Sequence, residues 1–197
     1  MSVPPHLLAV VGMAGAGKST VSRLVAQLGY ERVYFGGFVV EEVARRGLPP
    51  GPASESTVRE SLREVHGMAA IAALARPRLA ELLAEGHSAV IDGLYSRAES
   101  HLLEQDFPLV HLAVHSATWN RVRRLQGRRD RPLTADELQT RDTREIELLD
   151  KAPPIATAQL HLVNDGSEDE LSVAVGRAVD DLRRYVTQCW GVRESGA

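Results

Sequence analysis

The sequence predicts an α/β protein with a five-stranded parallel sheet covered by helices on both faces. Two observations lead to this prediction. Short apolar segments alternate along the chain with segments of helical periodicity, and a glycine-rich turn joins the first apolar segment to the first helix. The chain has 197 residues, of which 44% are hydrophobic, so residues 1–197 are long enough for one domain with a sizeable core.

Five segments have the length and composition of strands in such a sheet. The first, Leu7–Val11, is apolar at every position, as expected for a strand that is buried on both faces. The other four are bounded by glycine, proline or polar residues that indicate turns. The predicted strands span residues 7–11, 32–35, 88–92, 109–114 and 160–163.

Helices are predicted where apolar residues recur at helical spacing or where a Ser or Thr precedes a Glu by three residues, the pattern of a capping box. Pro77 is expected to kink or restart a long helical region, and Pro153-Pro154 to end the helix before it. The predicted capping boxes are Thr57–Glu60, Thr134–Glu137 and Ser167–Glu170. The predicted helices span residues 18–28, 38–46, 57–85, 118–125, 134–150 and 167–186.

Composition restricts the partners and the location of the protein. The formal net charge of -3 gives no reason to expect a nucleic-acid partner. No basic, apolar leader is visible, and no window approaches the roughly 20 apolar residues that span a bilayer. The single cysteine, Cys189, excludes an internal disulfide. We therefore expect a cytoplasmic protein without a membrane partner, either a monomer or a homodimer.

Residues 12–19 carry the strongest functional signal. They read GMAGAGKS and match the phosphate-binding pattern GxxxxGK[ST] at every fixed position. Glycines allow successive backbone N–H groups to point at an anion, and the following helix adds the positive end of its dipole. Lys18 would reach the β- and γ-phosphates of ATP, and the Ser19 hydroxyl would bind Mg²⁺. The predicted nucleotide-binding residues in and after the loop are Gly12, Ala14, Gly15, Ala16, Gly17, Lys18, Ser19 and Thr20.

An arginine cluster lies between the fourth and fifth predicted strands. Phosphoryl transfer needs positive charge around the γ-phosphate and a lid that excludes water. Residues 126–135 are predicted to be that lid. Arg124 is a predicted nucleotide ligand, and Arg128, Arg131 and Arg141 are predicted catalytic residues. A solvated basic face is the alternative, with Arg141 paired to Glu145. The full cluster is Arg121, Arg123, Arg124, Arg128, Arg129, Arg131, Arg141 and Arg144.

A carboxylate and two weaker candidates complete the predicted site. Asp92 ends the third strand, where ligands bind in open α/β sheets. It is predicted to support Mg²⁺ or to orient the acceptor, and an Asp that caps the next turn is the alternative. Arg97 is a candidate ligand of an acceptor phosphate. His66 could reach the acceptor pocket, although a lone histidine in a helix is more often structural.

Five classes of phosphate-loop protein can be compared with the sequence. A GTPase needs an Asn-Lys-x-Asp segment, which is absent. Larger ATPase domains of the AAA or transporter type need more chain than 197 residues. A kinase with a small acceptor is the leading interpretation. A regulatory NTPase without such an acceptor is the alternative, and a nucleic-acid end kinase is disfavoured by the net charge.

With these motifs the chain resembles the nucleoside-monophosphate-kinase type of P-loop kinases, which includes adenylate and dephospho-CoA kinases. It resembles most closely a group of adenylate-kinase-like proteins. The resemblance implies a three-layer α/β/α P-loop kinase fold with a short helical lid. It implies transfer from ATP to a nucleotide, nucleoside or nucleotide-like molecule held between helices 38–85 and the lid, and backbone near Gly166 packed on the adenine. The segments that carry it are 12–20, 41–50, 90–93, 141–146 and 162–171.

The sequence departs from this family on the acceptor side. Dephospho-CoA kinases have an acidic residue at the end of the second strand, whereas residues 33–37 contain no carboxylate. Adenylate-kinase-like proteins usually have an Asp and an Arg where this chain has Gly37 and Val40. Glu41 or Glu42 could replace the missing acid, and a solvated helix face is the alternative. The identity of the acceptor stays open.

Overall fold

A parallel sheet lies at the centre of the computed structural model, which describes residues 3–128 and 132–191. Its strands are ordered β2-β3-β1-β4-β5, and every neighbouring pair is parallel. This confirms the predicted five-stranded sheet. The strands are β1 (Leu7–Val11), β2 (Glu31–Tyr34), β3 (Ala89–Asp92), β4 (Leu109–His115) and β5 (Leu160–Val163).

Helices cover both faces of the sheet. They are α1 (Lys18–Gln27), α2 (Phe35–Arg45), α3 (Pro52–His66), α4 (Ala70–Ala84), α5 (Arg97–Glu104), α6 (Thr118–Gln126), α7 (Ala135–Glu147), α8 (Ala152–Ala156) and α9 (Glu168–Trp190). Within the described ranges, none of them combines the length and apolarity needed to cross a membrane.

The central strand β1 packs against both helical layers. Alternate residues of a strand point to opposite faces. Leu7, Ala9 and Val11 belong to the core that includes α2 to α5, whereas Leu8 and Val10 belong to the core with α1 and α9. All five residues are buried, which explains why this strand has no polar position.

The predicted Thr57–Glu60 capping box is wrong. Helix α3 already begins at Pro52, after Gly51, because proline has a helical φ and lacks the N–H that would be unpaired in a first turn. Thr57 therefore lies inside the helix, and its hydroxyl donates to the carbonyl of Ala53 at 3.1 Å.

The long helical region between residues 57 and 85 is divided at Gly67 and not at Pro77. Gly67 has a φ of 76° and ends α3, a conformation that favours glycine. Pro77 lies inside α4, which continues to Ala84. The predicted restart at Pro77 is therefore wrong.

Two other predicted capping boxes are present, and the sequence analysis missed a third. Thr134–Glu137 opens α7 and Ser167–Glu170 opens α9, as predicted. The missed capping box, Ser96–Glu99, opens α5. Pro153-Pro154 lies in the first turn of α8, so these prolines begin a short helix, whereas α7 ends earlier, at Glu147.

Helix α4 offers a direct test of the packing. Leu79 is fully buried in the core and Leu74, on the same helix, is 42% exposed. We expect Leu79→Ala to lower the free energy of unfolding by about 2–5 kcal/mol because it leaves a cavity, and Leu74→Ala to change it by less than about 0.5 kcal/mol. Urea denaturation of both variants measures the difference. Equal effects would contradict the assigned orientation of α4.

Candidate functional site

The loop between β1 and α1 lies at the carboxyl edge of the sheet, beside the ends of β3 and β4. Its glycines are required where other chain segments approach closely. Gly12 has a φ of 145°, and a Cβ there would lie 2.4 Å from the carbonyl oxygen of Val114. Gly17 has a φ of 103°, and its Cβ would lie 2.2 Å from Asn164 Nδ2. Both the backbone conformation and the available space therefore demand glycine.

Side chains donate hydrogen bonds to four consecutive carbonyl oxygens of this loop. With the carbonyls directed toward these donors, the N–H groups of the loop are free to converge on an anion. No acidic residue lies in the first turn of α1, so its dipole favours the same charge. The donors are Lys18 Nζ to Met13 (3.0 Å), Arg121 Nε to Ala14 (3.0 Å), Arg124 Nη1 to Gly15 (3.5 Å) and Asn164 Nδ2 to Ala16 (2.9 Å).

Arg124 and Asp165 connect the loop to the turns after β4 and β5. The Arg124 guanidinium donates to Ser116 Oγ at 3.0 Å and to the Asn164 carbonyl at 2.8 Å. Asp165 Oδ1 accepts from Ser116, from the backbone of Ala117 and from Asn120. These hydrogen bonds hold the pKa of the Asp165 carboxyl below its usual value.

Gly166, the predicted contact for adenine, directly follows this Asp165 turn.

Lys18 is held in an environment that disfavours its positive charge. Burial, reinforced by the positive charge of Lys151, lowers its pKa to about 7, while Glu145 and Asp92 act in the opposite direction. A polyphosphate would supply the negative charge that this environment lacks.

Ser19 and Asp92 meet at the carboxyl ends of β1 and β3, as the sequence predicted for a metal site. The Ser19 hydroxyl donates to Asp92 Oδ1 at 3.3 Å, and Arg32 contacts Asp92 Oδ2 at 2.5 Å. Asp92 is buried, whereas Ser19 is exposed toward the loop. A hydroxyl and a carboxylate side by side are donors that suit Mg²⁺. Among the described residues, no group of three His, Cys, Asp or Glu forms an all-protein metal site.

A cavity of about 830 Å³ opens between α2, α3 and α7. Its floor includes Gly36 at the start of α2 and Gly93 and Tyr95 after β3. Its walls include Arg59 and Arg63 of α3, among other charged side chains. The cavity thus adjoins the same edge of the sheet as the phosphate loop.

Arg141 and Glu145 of α7 line the cavity and form a charged cluster with Lys151, which directly precedes α8. Arg141 Nε donates to Glu145 Oε1 at 2.8 Å, so the predicted alternative partner of Arg141 is the observed one. Buried Lys151 donates to the other oxygen of Glu145, and its Nζ lies 4.7 Å from the ring centre of Tyr95. Arg141 therefore lines the cavity and is paired at the same time.

The remaining predicted residues fall into two groups. Arg128 is exposed at the end of α6, and Arg131 lies outside the described residues, so both stay predictions. Arg97 and His66 are exposed and do not line the cavity.

Glu42 is bound on α2 by Arg45 and Arg46 and does not line the cavity either. It is therefore not placed to replace the missing acid, and the same holds for Glu41.

Sequence reasoning missed Arg32, Tyr95 and Lys151 and named Glu145 only as a possible partner of Arg141. No local pattern marks Lys151, which precedes a pair of prolines. Asn164 had a signal, because it lies in the segment 162–171 on which the family resemblance rests. Its bond to Ala16, 148 residues earlier in the chain, follows only from the parallel sheet that brings the ends of β1 and β5 near each other.

Comparison with known proteins identifies the family to which the chain belongs. Residues 8–150 match a family model described as an AAA domain. A UPF0200 protein of Aeropyrum pernix is 39% identical over 182 residues, which cover 90% of this chain and 95% of that protein. A UPF0200 protein of Thermococcus sibiricus is 32% identical over 189 residues, which cover 92% and 99%. The chain belongs to the UPF0200 family, and its residues 8–150 belong to the AAA-domain family.

Solved structures share the fold of this UPF0200 protein. A gluconokinase from Sinorhizobium meliloti superposes with a TM-score of 0.58 at 17% identity and covers 95% of this chain and 98% of its own. A shikimate kinase from Bacteroides thetaiotaomicron gives a TM-score of 0.55 at 19% identity and covers 92% and 98%. Identities this low are evidence for the fold alone, and they confirm the three-layer P-loop architecture.

The family match corrects one inference from chain length. The sequence analysis set aside AAA-type ATPase domains as too long for 197 residues. Because residues 8–150 match an AAA domain, length does not exclude that class of protein. The resemblance to one particular adenylate-kinase-like group stays a prediction.

The lowered pKa of Lys18 leads to a test of the donor site. With a pKa of about 7, Lys18 is mostly neutral near pH 8, and bound polyphosphate should restore its proton. We expect ATP binding near pH 8 to take up as much as about one proton. Isothermal titration calorimetry in buffers of different ionisation enthalpy measures this uptake.

The matched control for this test is Lys18→Arg, because a guanidinium is charged before and after binding. We expect the variant to take up fewer protons than the wild type. Equal uptake by the two proteins would contradict a neutral Lys18 in the free state.

Proposed function

We propose that this UPF0200 protein is an ATP- and Mg²⁺-dependent kinase that transfers the γ-phosphoryl group to a nucleotide, nucleoside or nucleotide-like small molecule. The observation that carries the proposal is a cavity of about 830 Å³ at the same edge of the sheet as the phosphate loop. Its volume suits a ligand of that size. A protein that only hydrolysed ATP would have no need of a second ligand site at this edge of the sheet.

The donor half of the proposed site is formed by the loop and its supports. Backbone N–H groups of residues 12–19 would bind the phosphates, and Lys18 would leave the Met13 carbonyl to contact the β- and γ-phosphates. Arg124 and the turn at Gly166 flank the expected position of the base. Because bonding to the attacking and leaving oxygens is weak in the transition state of phosphoryl transfer, this chain would contribute mainly the positioning of the two substrates and positive charge.

The arrangement of Ser19 and Asp92 supports the Mg²⁺ requirement. The hydroxyl of Ser19 would hold the ion directly, and Asp92, 3.3 Å from that hydroxyl, would hold it directly or through water. When bound, Mg²⁺ neutralises the charge that develops on the phosphate oxygens. Arg32 would keep the other oxygen of Asp92 in place.

The acceptor half is the cavity and the segment after α6. The acceptor would lie between α2, α3 and α7, with the predicted lid 126–135 closing over it to exclude water. Arg128 and Arg131 would act from that lid, and Arg141 already lines the cavity. The solved gluconokinase and shikimate kinase share this fold, and both are kinases named for a small-molecule acceptor, which favours the same class of reaction here.

A regulatory NTPase without a small-molecule acceptor is the second candidate. The match of residues 8–150 to an AAA domain favours it, as does the absence of a carboxylate in residues 33–37. Under this alternative, nucleotide hydrolysis would change affinity for a partner, and the cavity would stay without an acceptor.

An acceptor panel distinguishes the two candidates. We expect ATP with Mg²⁺ to phosphorylate at least one of AMP, CMP, dephospho-CoA and adenosine much faster than ATP is hydrolysed without an acceptor. Chromatographic detection of both products measures this ratio. Slow hydrolysis that no acceptor changes would support the regulatory NTPase instead.

The Lys18→Ala variant tests the donor site in the same assay. We expect loss of transfer by at least about 100-fold, because the variant lacks the charge on the γ-phosphate, while the thermal unfolding midpoint stays close to that of the wild type. Gln27→Ala, an exposed change on the same helix, is the control. Unchanged turnover in Lys18→Ala would contradict the assignment of the loop.

A further inference from the structure

The cavity between α2, α3 and α7 has no carboxylate at the end of β2. Dephospho-CoA kinases, which the sequence resembles, have an acidic residue at that position. The residues there are Tyr34, Phe35 and Gly36, which line the cavity without an acidic group. A group that accepts the proton of an acceptor hydroxyl must therefore come from another element. The carboxylates around the cavity lie on α3, α5 and α7.

Two of these carboxylates hold the starts of helices. Glu99 accepts from the backbone of Tyr95 and Ser96 as part of the capping box of α5. Glu137 does the same for α7 at Thr134. Such carboxylates stabilise helix ends and are held by backbone N–H groups.

Glu145 differs because two buried or partly buried cations fix its carboxylate at the cavity, and because its charge also acts on Lys18. It lines the cavity, and its charge acts on the pKa of Lys18 more strongly than that of Asp92 does. Asp92 itself is bound by Arg32 and Ser19. Among the carboxylates that line the cavity, Glu145 is therefore the one whose charge acts most strongly on Lys18. Lys18 is the residue that would bind the γ-phosphate.

Two cations hold the Glu145 carboxylate in one orientation. Arg141 contacts Oε1 at 2.8 Å and buried Lys151 contacts Oε2. Burial alone would raise the pKa of this carboxyl, but Lys151 and Arg141 outweigh burial and keep it below its usual value, so the group is ionised at neutral pH. Each oxygen still has a lone pair to accept a proton.

We propose, on the basis of the proposed function, that Glu145 is the general base of the transfer. The acceptor hydroxyl oxygen forms a bond to the γ-phosphorus and gives its proton to Glu145. The bond from the γ-phosphorus to the β–γ bridging oxygen breaks, and its electron pair leaves with ADP. A weak base suffices, because the hydroxyl becomes acidic only as its oxygen bonds to phosphorus.

The same cluster assigns Lys151 a positioning role. With its Nζ against the ring of Tyr95 and on Glu145, it keeps the carboxylate at the cavity wall. Removing Glu145 alone would leave this buried lysine without its partner, which destabilises proteins strongly. The decisive variant therefore changes both partners together.

The test uses the double variant Glu145→Gln/Lys151→Met, which has no unpaired buried charge. Transfer from ATP to AMP, CMP, dephospho-CoA and adenosine is measured in the full-length protein, with ATP affinity measured separately by calorimetry. The variant is judged on dephospho-CoA and adenosine, because these accept through a hydroxyl, whereas AMP and CMP accept through a phosphate that has no proton to give up at neutral pH. Transfer by the wild type to AMP or CMP alone would overturn this inference and leave the proposed function standing. We expect kcat to fall about 100-fold or more, with the acceptor KM and ATP affinity changed little. Glu147→Gln, an exposed change two residues along α7, is the matched control and should leave kcat unaffected.

Three further outcomes decide the matter. A low kcat in the double variant, with part of the rate restored in Glu145→Asp, supports the general base. Near wild-type kcat in the double variant overturns it, because Glu145 would then only have compensated the charge of Lys151. Absence of transfer to every acceptor by the wild type overturns the proposed function and this inference together, and so is distinguishable from failure of the inference alone.

Discussion

The structure depends on the requirement that the phosphate loop present its backbone N–H groups to an anion. A chain segment holds that conformation only if its carbonyl oxygens are bonded elsewhere. Here Lys18, Arg121, Arg124 and Asn164 bond the four carbonyls from Met13 to Ala16. The order of the strands serves the same contacts, because β4 lies next to β1 and β5 next to β4, so the turns after β4 and β5 lie at the same edge of the sheet as the loop.

The phosphate loop and the cavity are coupled by charge. The pKa of Lys18 depends on the charges of Lys151, Glu145, Arg141 and Asp92, which come from β3, α7 and the residue that precedes α8. In the absence of phosphate, burial together with Lys151 and Arg141 disfavours the positive charge of Lys18, and Glu145 and Asp92 only partly offset this. A bound polyphosphate would reverse that balance, and under the proposed function its binding energy would be concentrated on the group to be transferred.

Local signals in the sequence predict the central part of the fold well. An apolar strand, a glycine motif and an amphipathic helix determine β1, the loop and α1 because each depends on neighbouring residues alone. Thr57 and Glu60 have the spacing of a cap but lie inside α3, since Gly51 and Pro52 start that helix earlier. The pairing of Glu145 with Lys151 depends on where α8 packs, and no pattern in the sequence encodes that packing.

The guanidinium of Arg121 links the phosphate loop to helix α7. Arg121 donates to the carbonyl of Ala14 in the loop and to Asp142 on α7, and it is buried. A displacement of α7 must therefore either break a buried ion pair, at a cost of about 3–5 kcal/mol, or pull on the loop. Helix α7 and the phosphate loop are therefore expected to move together, because Arg121 is bonded to both.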